Sequence, residues 1–392
     1  MKIAYFDSPI GSVESLAKTL DVSLELLKIM AHDPDSYYSI SELEKKSGGY
    51  RTISDPVNEL KIVQRRIVRR ILSKCSFPAY LFGSVKDSDN PRDFVRNAQL
   101  HVNAKEVVAF DIESFFPSVS VGSIKKVYKY LLQLPDEVSN LLVKLTMLRD
   151  GLPQGAPTSS YLANLLFYDS EYKLVKVFHA KGLVYSRLVD DITVSSKEII
   201  SPKERTFIYE NIRKFLGEKG LRICKRKYQV TNTATNGKKT VVTGLVVEGG
   251  KVKLPKEKIK EIGGRVYGLN NEAVIATTAH EFHKEHATVS GMVALYYRLD
   301  SKKSAEYRSV LRAILPTYSK DKIKKISWLC KKFISYAKAH PHRRDEEGYA
   351  KKYHRFKHKL NVIKRTNRKQ ARALESQLLP LRPTRLLSSY HE

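Results

Sequence analysis

The chain has 392 residues, 42% of them hydrophobic, enough to bury one large core or two to three smaller domains. Seventy Lys and Arg against 41 Asp and Glu leave a net charge of +29, which calls for a polyanionic partner: nucleic acid first, an anionic membrane surface second. No uninterrupted run of about 18 apolar residues exists, so no membrane span is expected, and the acid in Met1-Lys2-Ile3-Ala4-Tyr5-Phe6-Asp7 argues against a signal peptide. Cys75, Cys224 and Cys330 are scattered and odd in number, which excludes a disulfide framework or a zinc set and suggests a reducing, cytoplasmic setting.

Residues 1–45 are expected to be an N-terminal helical region. Leu16, Leu20, Leu24 and Leu27 recur at helical spacing, and a second helical start is expected at 39–43. Ser47-Gly48-Gly49 breaks the pattern, and residues 51–56 form a short strand and turn. A basic helix follows from about 57 to 75, with Leu60, Val63, Ile67 and Ile71 inward and Lys61, Arg65, Arg66, Arg69 and Arg70 on the other faces. Residues 107–112 are a buried strand, 121–148 helical, 152–160 a Pro/Gly loop, 161–177 a helix, and 183–194 two short strands around a tight turn. A hairpin is expected from 241–247 and 251–254 with Gly249-Gly250 at its tip, and 256–300 is helical. From 321 onward 20 Lys/Arg stand against 6 acids, so about half the net charge lies in this tail, which reads either as an RNA-binding extension or as a solvated basic segment with little fixed shape.

Asp111 closes an apolar strand, and Asp190-Asp191 sits about 80 residues on, at the turn of Tyr185-Ser186-Arg187-Leu188-Val189-Asp190-Asp191-Ile192-Thr193-Val194. Two acids in a turn between apolar strands repel each other, which raises one pKa unless a divalent cation neutralises them. Phosphoryl transfer uses such a site, two hard cations stabilising both the attacking and the leaving oxygen. Any one of these acids alone is more often a cap or turn residue. Their order, with Leu152-Pro153-Gln154-Gly155-Ala156-Pro157-Thr158-Ser159-Ser160 between them, favours chemistry.

These segments resemble the reverse transcriptase family. Phe110-Asp111-Ile112-Glu113-Ser114-Phe115-Phe116-Pro117-Ser118 matches its first catalytic motif, Leu152 to Ser159 the second, and Leu188-Val189-Asp190-Asp191 the third, with Leu188 in place of the usual Tyr. The resemblance implies an α+β right-hand polymerase with fingers, a palm built on an antiparallel sheet, and a helical thumb. It implies that Asp111, Asp190, Asp191 and the Ile112 backbone carbonyl hold two Mg2+ ions, that Phe116 is the gate against ribonucleotides, and that Gln154 lines the nucleotide pocket. Arg51 would hold the triphosphate of the incoming dNTP. Lys227 would lie near the leaving pyrophosphate, although a solvated basic face fits it equally.

Within that family the chain resembles bacterial retron reverse transcriptases. Asn97-Ala98-Gln99-Leu100-His101 fits their Asn-Ala-x-x-His motif and Val242-Thr243-Gly244 their Val-Thr-Gly motif. By this resemblance Asn97, His101, Val242, Thr243 and Gly244 contact RNA; a core histidine and a plain strand end are the structural alternatives. The implied domains are 1–45, the N-terminal helical region; 46–245, fingers and palm; 246–320, thumb; and 321–392, a basic RNA-binding extension. The implied activity copies a cognate structured non-coding RNA into branched, RNA-linked DNA (msDNA), primed from a guanosine 2′-hydroxyl, in antiphage defence with an effector protein and without a membrane. Other bacterial reverse transcriptases (group II intron-like, diversity-generating or abortive-infection types) and a non-catalytic RNA-binding protein on a polymerase fold are the competing readings.

Overall fold

In the computed structural model the described residues are 2–44, 48–85, 87, 89–232 and 239–385. They divide into two compact units, residues 1–252 and 253–392.

The first unit begins with β1 (Ala4–Tyr5), α1 (Val13–Leu20) and α2 (Leu24–His32). Ser12 and Ser23 cap the two helices, and Leu16, Leu20 and Leu27 are buried, as their spacing requires. Residues 39–43 are not helical. They belong to β2 (Tyr38–Glu44), which pairs antiparallel with β3 (Tyr50–Pro56) from Tyr38↔Pro56 to Glu44↔Tyr50. The ladder to a partner further along the chain overrides a weak local helical preference. Ile40, Leu43 and Tyr50 remain exposed on this ribbon.

The basic helix is α3 (Asn58–Arg70), with Leu60, Val63 and Ile67 buried and Ile71 buried just beyond it. Two of its arginines have a structural task. Arg66 donates to the carbonyls of Leu20 (2.9 Å) and Asp21 (2.6 Å), and Arg70 to that of Thr19 (2.8 Å), so they satisfy and neutralise the C-terminus of α1. After β4 (Cys75–Ser76), which pairs with β1, come β5 (Leu81–Phe82), α4 (Phe94–Leu100), β6 (Glu106–Asp111), α5 (Phe115–Ser118) and α6 (Val121–Lys126). A π-helical stretch, Val127–Leu131, leads on to α7 (Asp136–Thr146). Next are α8 (Ser159–Leu165), α9 (Glu171–His179), β7 (Val184–Leu188), β8 (Asp191–Ser196), α10 (Pro202–Gly217), the short helical turn α11 (Lys225–Lys227) and β9 (Gln229–Asn232).

Five of these strands form one sheet in the order β5-β7-β8-β6-β9, antiparallel except for the β5–β7 pair. Its apolar side chains, Val108, Phe110, Tyr185, Ile192 and Val194, join the helices in one continuous core. The last hairpin of the unit is β10 (Val241–Val242) with β11 (Leu245–Val246). Its turn is Thr243-Gly244, both at positive φ (47° and 79°), and not Gly249-Gly250 as expected. A two-residue turn of this kind needs left-handed backbone at both positions, and the glycine supplies the second without strain.

The second unit is helical: α12 (Lys256–Ala276), α13 (His280–Leu299), α14 (Ser301–Ala313), α15 (Lys320–Ala339), α16 (Glu347–Ile363) and α17 (Arg368–Leu378). The described part of the basic tail, 321–385, is folded: Ile323, Ile326, Cys330, Phe333 and Ile334 of α15 pack with Tyr349, Tyr353, Leu360, Leu374 and Leu378 of α16 and α17. Among the described residues no helix is long and apolar enough to cross a membrane.

Candidate active site

The site grows from three adjacent strands. Asp111 ends β6 and faces Asp191, the first residue of β8, across the ladder. Leu188 of β7 pairs with Asp191, so Val189 and Asp190 make the two-residue turn. Val189 sits at φ 59°, a left-handed conformation that costs a β-branched residue about 1–3 kcal/mol and survives only where neighbours over-determine it.

Three contacts do so. The Ile112 amide donates to the Asp190 carbonyl (3.1 Å), and Arg187 Nη1 donates to the Val189 carbonyl (2.9 Å). Gly83 packs so closely that a Cβ there would meet Leu188 Cδ1 at 2.9 Å and Val189 Cγ2 at 3.0 Å. The aliphatic Leu188, which stands where the family motif usually has Tyr, therefore packs against Gly83, just past its ladder partner Phe82.

Arg187 is fully buried, yet nothing in the motifs singles it out. Its guanidinium meets both carboxylate oxygens of buried Glu171 at 2.6 and 2.9 Å, reaches Asn164 Oδ1 at 3.2 Å, and lies 4.8 Å from the Phe167 ring centroid. Tyr185 donates its hydroxyl to the same glutamate (2.7 Å), and Asn164 Nδ2 donates to the Gly83 carbonyl (2.9 Å). One buried ionic network thus grips both sides of the turn. The available signal was a charged residue in phase with inward-facing Tyr185 on an apolar strand, a position that accepts a charge only with a partner.

The electrostatics are those of crowded acids. Burial raises the Asp190 carboxyl above the usual range, Asp111 adds to this, and Lys227 and Arg51 oppose it. Asp191 is exposed, yet its carboxyl is pushed up to about 6, first by desolvation among its neighbours and then by Asp190 and Asp111. Asp111 is buried, and Lys227 Nζ lies 2.6 Å from its Oδ2, which raises the lysine. Lys227 is therefore part of the acid cluster and not a plain solvated face. Among the described residues no three acidic, His or Cys side chains gather tightly enough to form a closed cation cage. The donors are nonetheless all oxygen, the acids repel one another, and one is already neutralised by an ammonium. That chemistry fits hard divalent cations that keep water and phosphate in their remaining positions.

The middle loop is pinned from both sides. The Leu152 amide donates to the Phe116 carbonyl (2.9 Å), and the Gln154 carbonyl accepts from the Ser54 amide of β3 (2.7 Å). Gly151 and Gly155 allow this approach: a Cβ would lie 2.7 Å from the Pro117 carbonyl at the first and 3.1 Å from that of Ser54 at the second, where φ is 121°. The Gln154 side-chain oxygen is buried and lacks a partner among the described residues. Phe116 is half-buried beside Phe115, their ring centroids 5.7 Å apart, and Arg51 is exposed on β3. The structure thus links Phe116, Gln154 and the strand carrying Arg51 through one loop.

The two remaining motifs meet elsewhere. Thr243 Oγ1 donates to the Phe94 carbonyl at the start of α4 (3.1 Å), which joins the Val242-Thr243-Gly244 turn to the helix carrying Asn97. His101 bridges Ser195 Oγ and Ser186 Oγ, both at 2.7 Å, and so ties β8 to β7 behind the acids. Asn97, His101 and Val242 are buried, leaving no side-chain surface for RNA in this conformation, whereas Gly244 is exposed and Thr243 half-exposed.

Residues 43–264 match the family described as reverse transcriptase (RNA-dependent DNA polymerase). The chain is 31% identical to the Retron Se72 reverse transcriptase of Salmonella heidelberg (strain 579083-10), over 96% of this chain and 98% of that one. It is 32% identical to the Retron Ec48 reverse transcriptase of Escherichia coli, over 96% and 94%, and 29% identical to the Retron Ec86 reverse transcriptase of the same species, over 80% and 93%. The turn of acids thus belongs to a right-hand polymerase fold, and the chain belongs to the reverse transcriptase family, as an RNA-directed DNA polymerase of the retron type.

Proposed function

We propose that this polymerase copies a structured non-coding RNA encoded with it into RNA-linked DNA (msDNA), starting from a guanosine 2′-hydroxyl within that RNA, and that it serves in antiphage defence beside an effector protein. The relatives' retron character supports this. The observation that carries the chemistry is the pairing of Asp111 with Asp191, with Asp190 in the intervening turn and Lys227 on Asp111.

Asp111, Asp190, Asp191 and the Ile112 carbonyl would hold two Mg2+ ions. When bound, these supply charge stabilisation for the attacking hydroxyl and for the leaving pyrophosphate. Arg51, whose charge already acts on Asp190, would take the triphosphate of the incoming dNTP. Gln154 would offer its unpartnered amide oxygen to the nucleotide. Phe116 would wall off a 2′-hydroxyl. Lys227 would leave Asp111 and neutralise the departing pyrophosphate. Asn97, His101 and Val242 would set the shape of an RNA-facing surface from beneath, and Thr243 and Gly244 would touch it. We read 46–245 as fingers and palm, 246–320 as thumb and 321–392 as an RNA-binding extension.

Asp190→Asn removes one ligand charge without a change of shape. It should abolish primer extension on an RNA template while leaving RNA binding largely intact; normal extension by this variant would overturn the assignment. Sequencing nucleic acid that copurifies with the protein should return one structured RNA joined to DNA. A mixture of unrelated RNAs would overturn the retron product.

A further inference from the structure

Along α15, residues 323, 326, 330, 333 and 334 point into the core shared with α16 and α17. The helical period then forces 324, 325, 328, 331 and 332 onto the opposite face. These are Lys324, Lys325, Trp328, Lys331 and Lys332, and all five are exposed. Trp328 is the only tryptophan of the chain, and 54% of its surface is exposed. Lys332 Nζ lies 3.8 Å from the ring centroid. The nearby acid on this face, Asp321, makes only a long 3.9 Å contact to Lys324, with both side chains exposed.

A helix face whose only task is solubility needs lysines but not an indole, the side chain with the largest apolar area to lose to water. Four ammonium groups over about 12 Å of helix, with one broad aromatic ring between them, provide what an unpaired strand requires. Phosphates are neutralised by the lysines, and a base stacks on the ring whatever its identity. A duplex cannot use the ring, because its bases already stack on one another. We propose that this face of α15 is a binding site for single-stranded nucleic acid, with a base stacked on Trp328 and flanking phosphates on Lys324, Lys325, Lys331 and Lys332. The proposal rests on the reading of 321–392 as an RNA-binding extension and deepens it, narrowing it to one helix face, unpaired strands and one stacked base.

The single tryptophan makes the site its own probe. The full chain, excited at the red edge of the indole band where tyrosines stay dark, is titrated with single-stranded oligoadenylate, with its deoxy counterpart, and with a duplex of equal length. Both single strands should quench the emission, and the duplex should require at least tenfold more. The fourfold Lys→Gln variant at 324, 325, 331 and 332, with circular dichroism confirming its helices, should raise the half-quench concentration at least tenfold. It should also flatten the logarithmic salt dependence by about 0.7 for each phosphate that is no longer neutralised. In a separate anisotropy titration, Trp328→Phe should retain binding at this site better than Trp328→Ala.

Unchanged emission at saturating strand, equal quenching by the duplex, or quenching indifferent to the four lysines would overturn the proposal. A blue shift on adding an effector protein, with no response to nucleic acid, would also overturn it and mark the face as a protein interface. DNA synthesis on a generic primed RNA template is measured in parallel. If the parent quenches but does not synthesise, the polymerase reading fails and this site stands; if it synthesises without quenching, the reverse holds.

Discussion

Charge is used in opposite ways in the strand turn of the first unit and in α15–α17 of the second. Beneath the turn the charged groups are buried and paired: Arg187 is 0% exposed and Glu171 1%. In the helical cluster the interior is apolar and aromatic, and the lysines of α15 lie outside it. Buried ions fix geometry, because each has one acceptable arrangement and a high cost for any other. Exposed ions set affinity, because each adds a small, salt-screened increment that leaves the fold alone. The largest expected effect is therefore at Glu171. Glu171→Ala leaves the guanidinium of Arg187 buried and unpaired and should cost about 3–5 kcal/mol, read from the denaturant midpoint. Replacing the set together (Glu171→Leu, Tyr185→Phe, Arg187→Met) removes charge and hydroxyl at once and should regain most of that stability. It should still leave synthesis about 100-fold down, because the Val189 carbonyl then has no donor and the acids are free to shift. A triple variant as active as the parent would show that the network is only structural.

His101 sharpens the same contrast through pH. Burial holds its imidazole down to about 4, against an ordinary value near 6.5. Near pH 7.5 neither folded nor unfolded chain carries the proton, so its contribution is fully present. As pH falls below about 6.5 the unfolded chain takes up a proton that the folded chain refuses, and stability is lost until about pH 4. The loss should be about 2 kcal/mol at pH 5 and about 3 kcal/mol in all. Denaturant midpoints of parent and His101→Gln across this range should diverge by that amount, the variant showing the flatter profile. Parallel profiles would mean that the histidine is reached by water.

What can be read from the sequence follows the same division. Asp111, Asp190 and Asp191 are legible because the reaction dictates residue type and order, and the structure brings them together at one end of the inner strands of the sheet. Lys227 is ambiguous, since a lysine among Lys225, Arg226 and Lys227 has no distinguishing pattern; only the fold puts it on Asp111. Arg187 escapes notice because it stands beside a stronger acidic motif and its partner Glu171 lies on a helix outside every motif. β2 reads as helix because its pairing partner lies beyond a chain reversal, and the turn at Thr243-Gly244 is hidden by the stronger turn signal of Gly249-Gly250. In α15 the abundance of lysine conceals a regular apolar stripe at 323, 326, 330, 333 and 334.

Phe116 lies between the extremes, half-buried and held by neither ions nor a full core. A wall that excludes by shape discriminates by about 1–3 kcal/mol, so Phe116→Ala should narrow the preference for deoxynucleotides about 10–200-fold in primer extension. An active variant with an unchanged ratio would remove the gate from this residue.

The smallest effects are expected on the surface of α16, where Lys352 and Arg355 are exposed on the outside of the helical core. Replacing both by Gln should change the denaturant midpoint by no more than about 0.5 kcal/mol, since no buried group is disturbed. If they touch phosphates, RNA binding weakens for cognate and scrambled sequences alike, and the salt slope falls by about 0.7 for each phosphate of a single strand or about 0.9 for each of a duplex. Titration of both RNAs at several salt concentrations separates the possibilities. A lower slope with an unchanged ratio of cognate to scrambled affinity is the expected signature of exposed charge. A lower ratio with an unchanged slope would mean that these residues read the RNA by shape, and would break the division between geometry inside and affinity outside. A lost fold would break it more severely, because it would make two exposed side chains as necessary to the helical unit as Arg187 is to the turn.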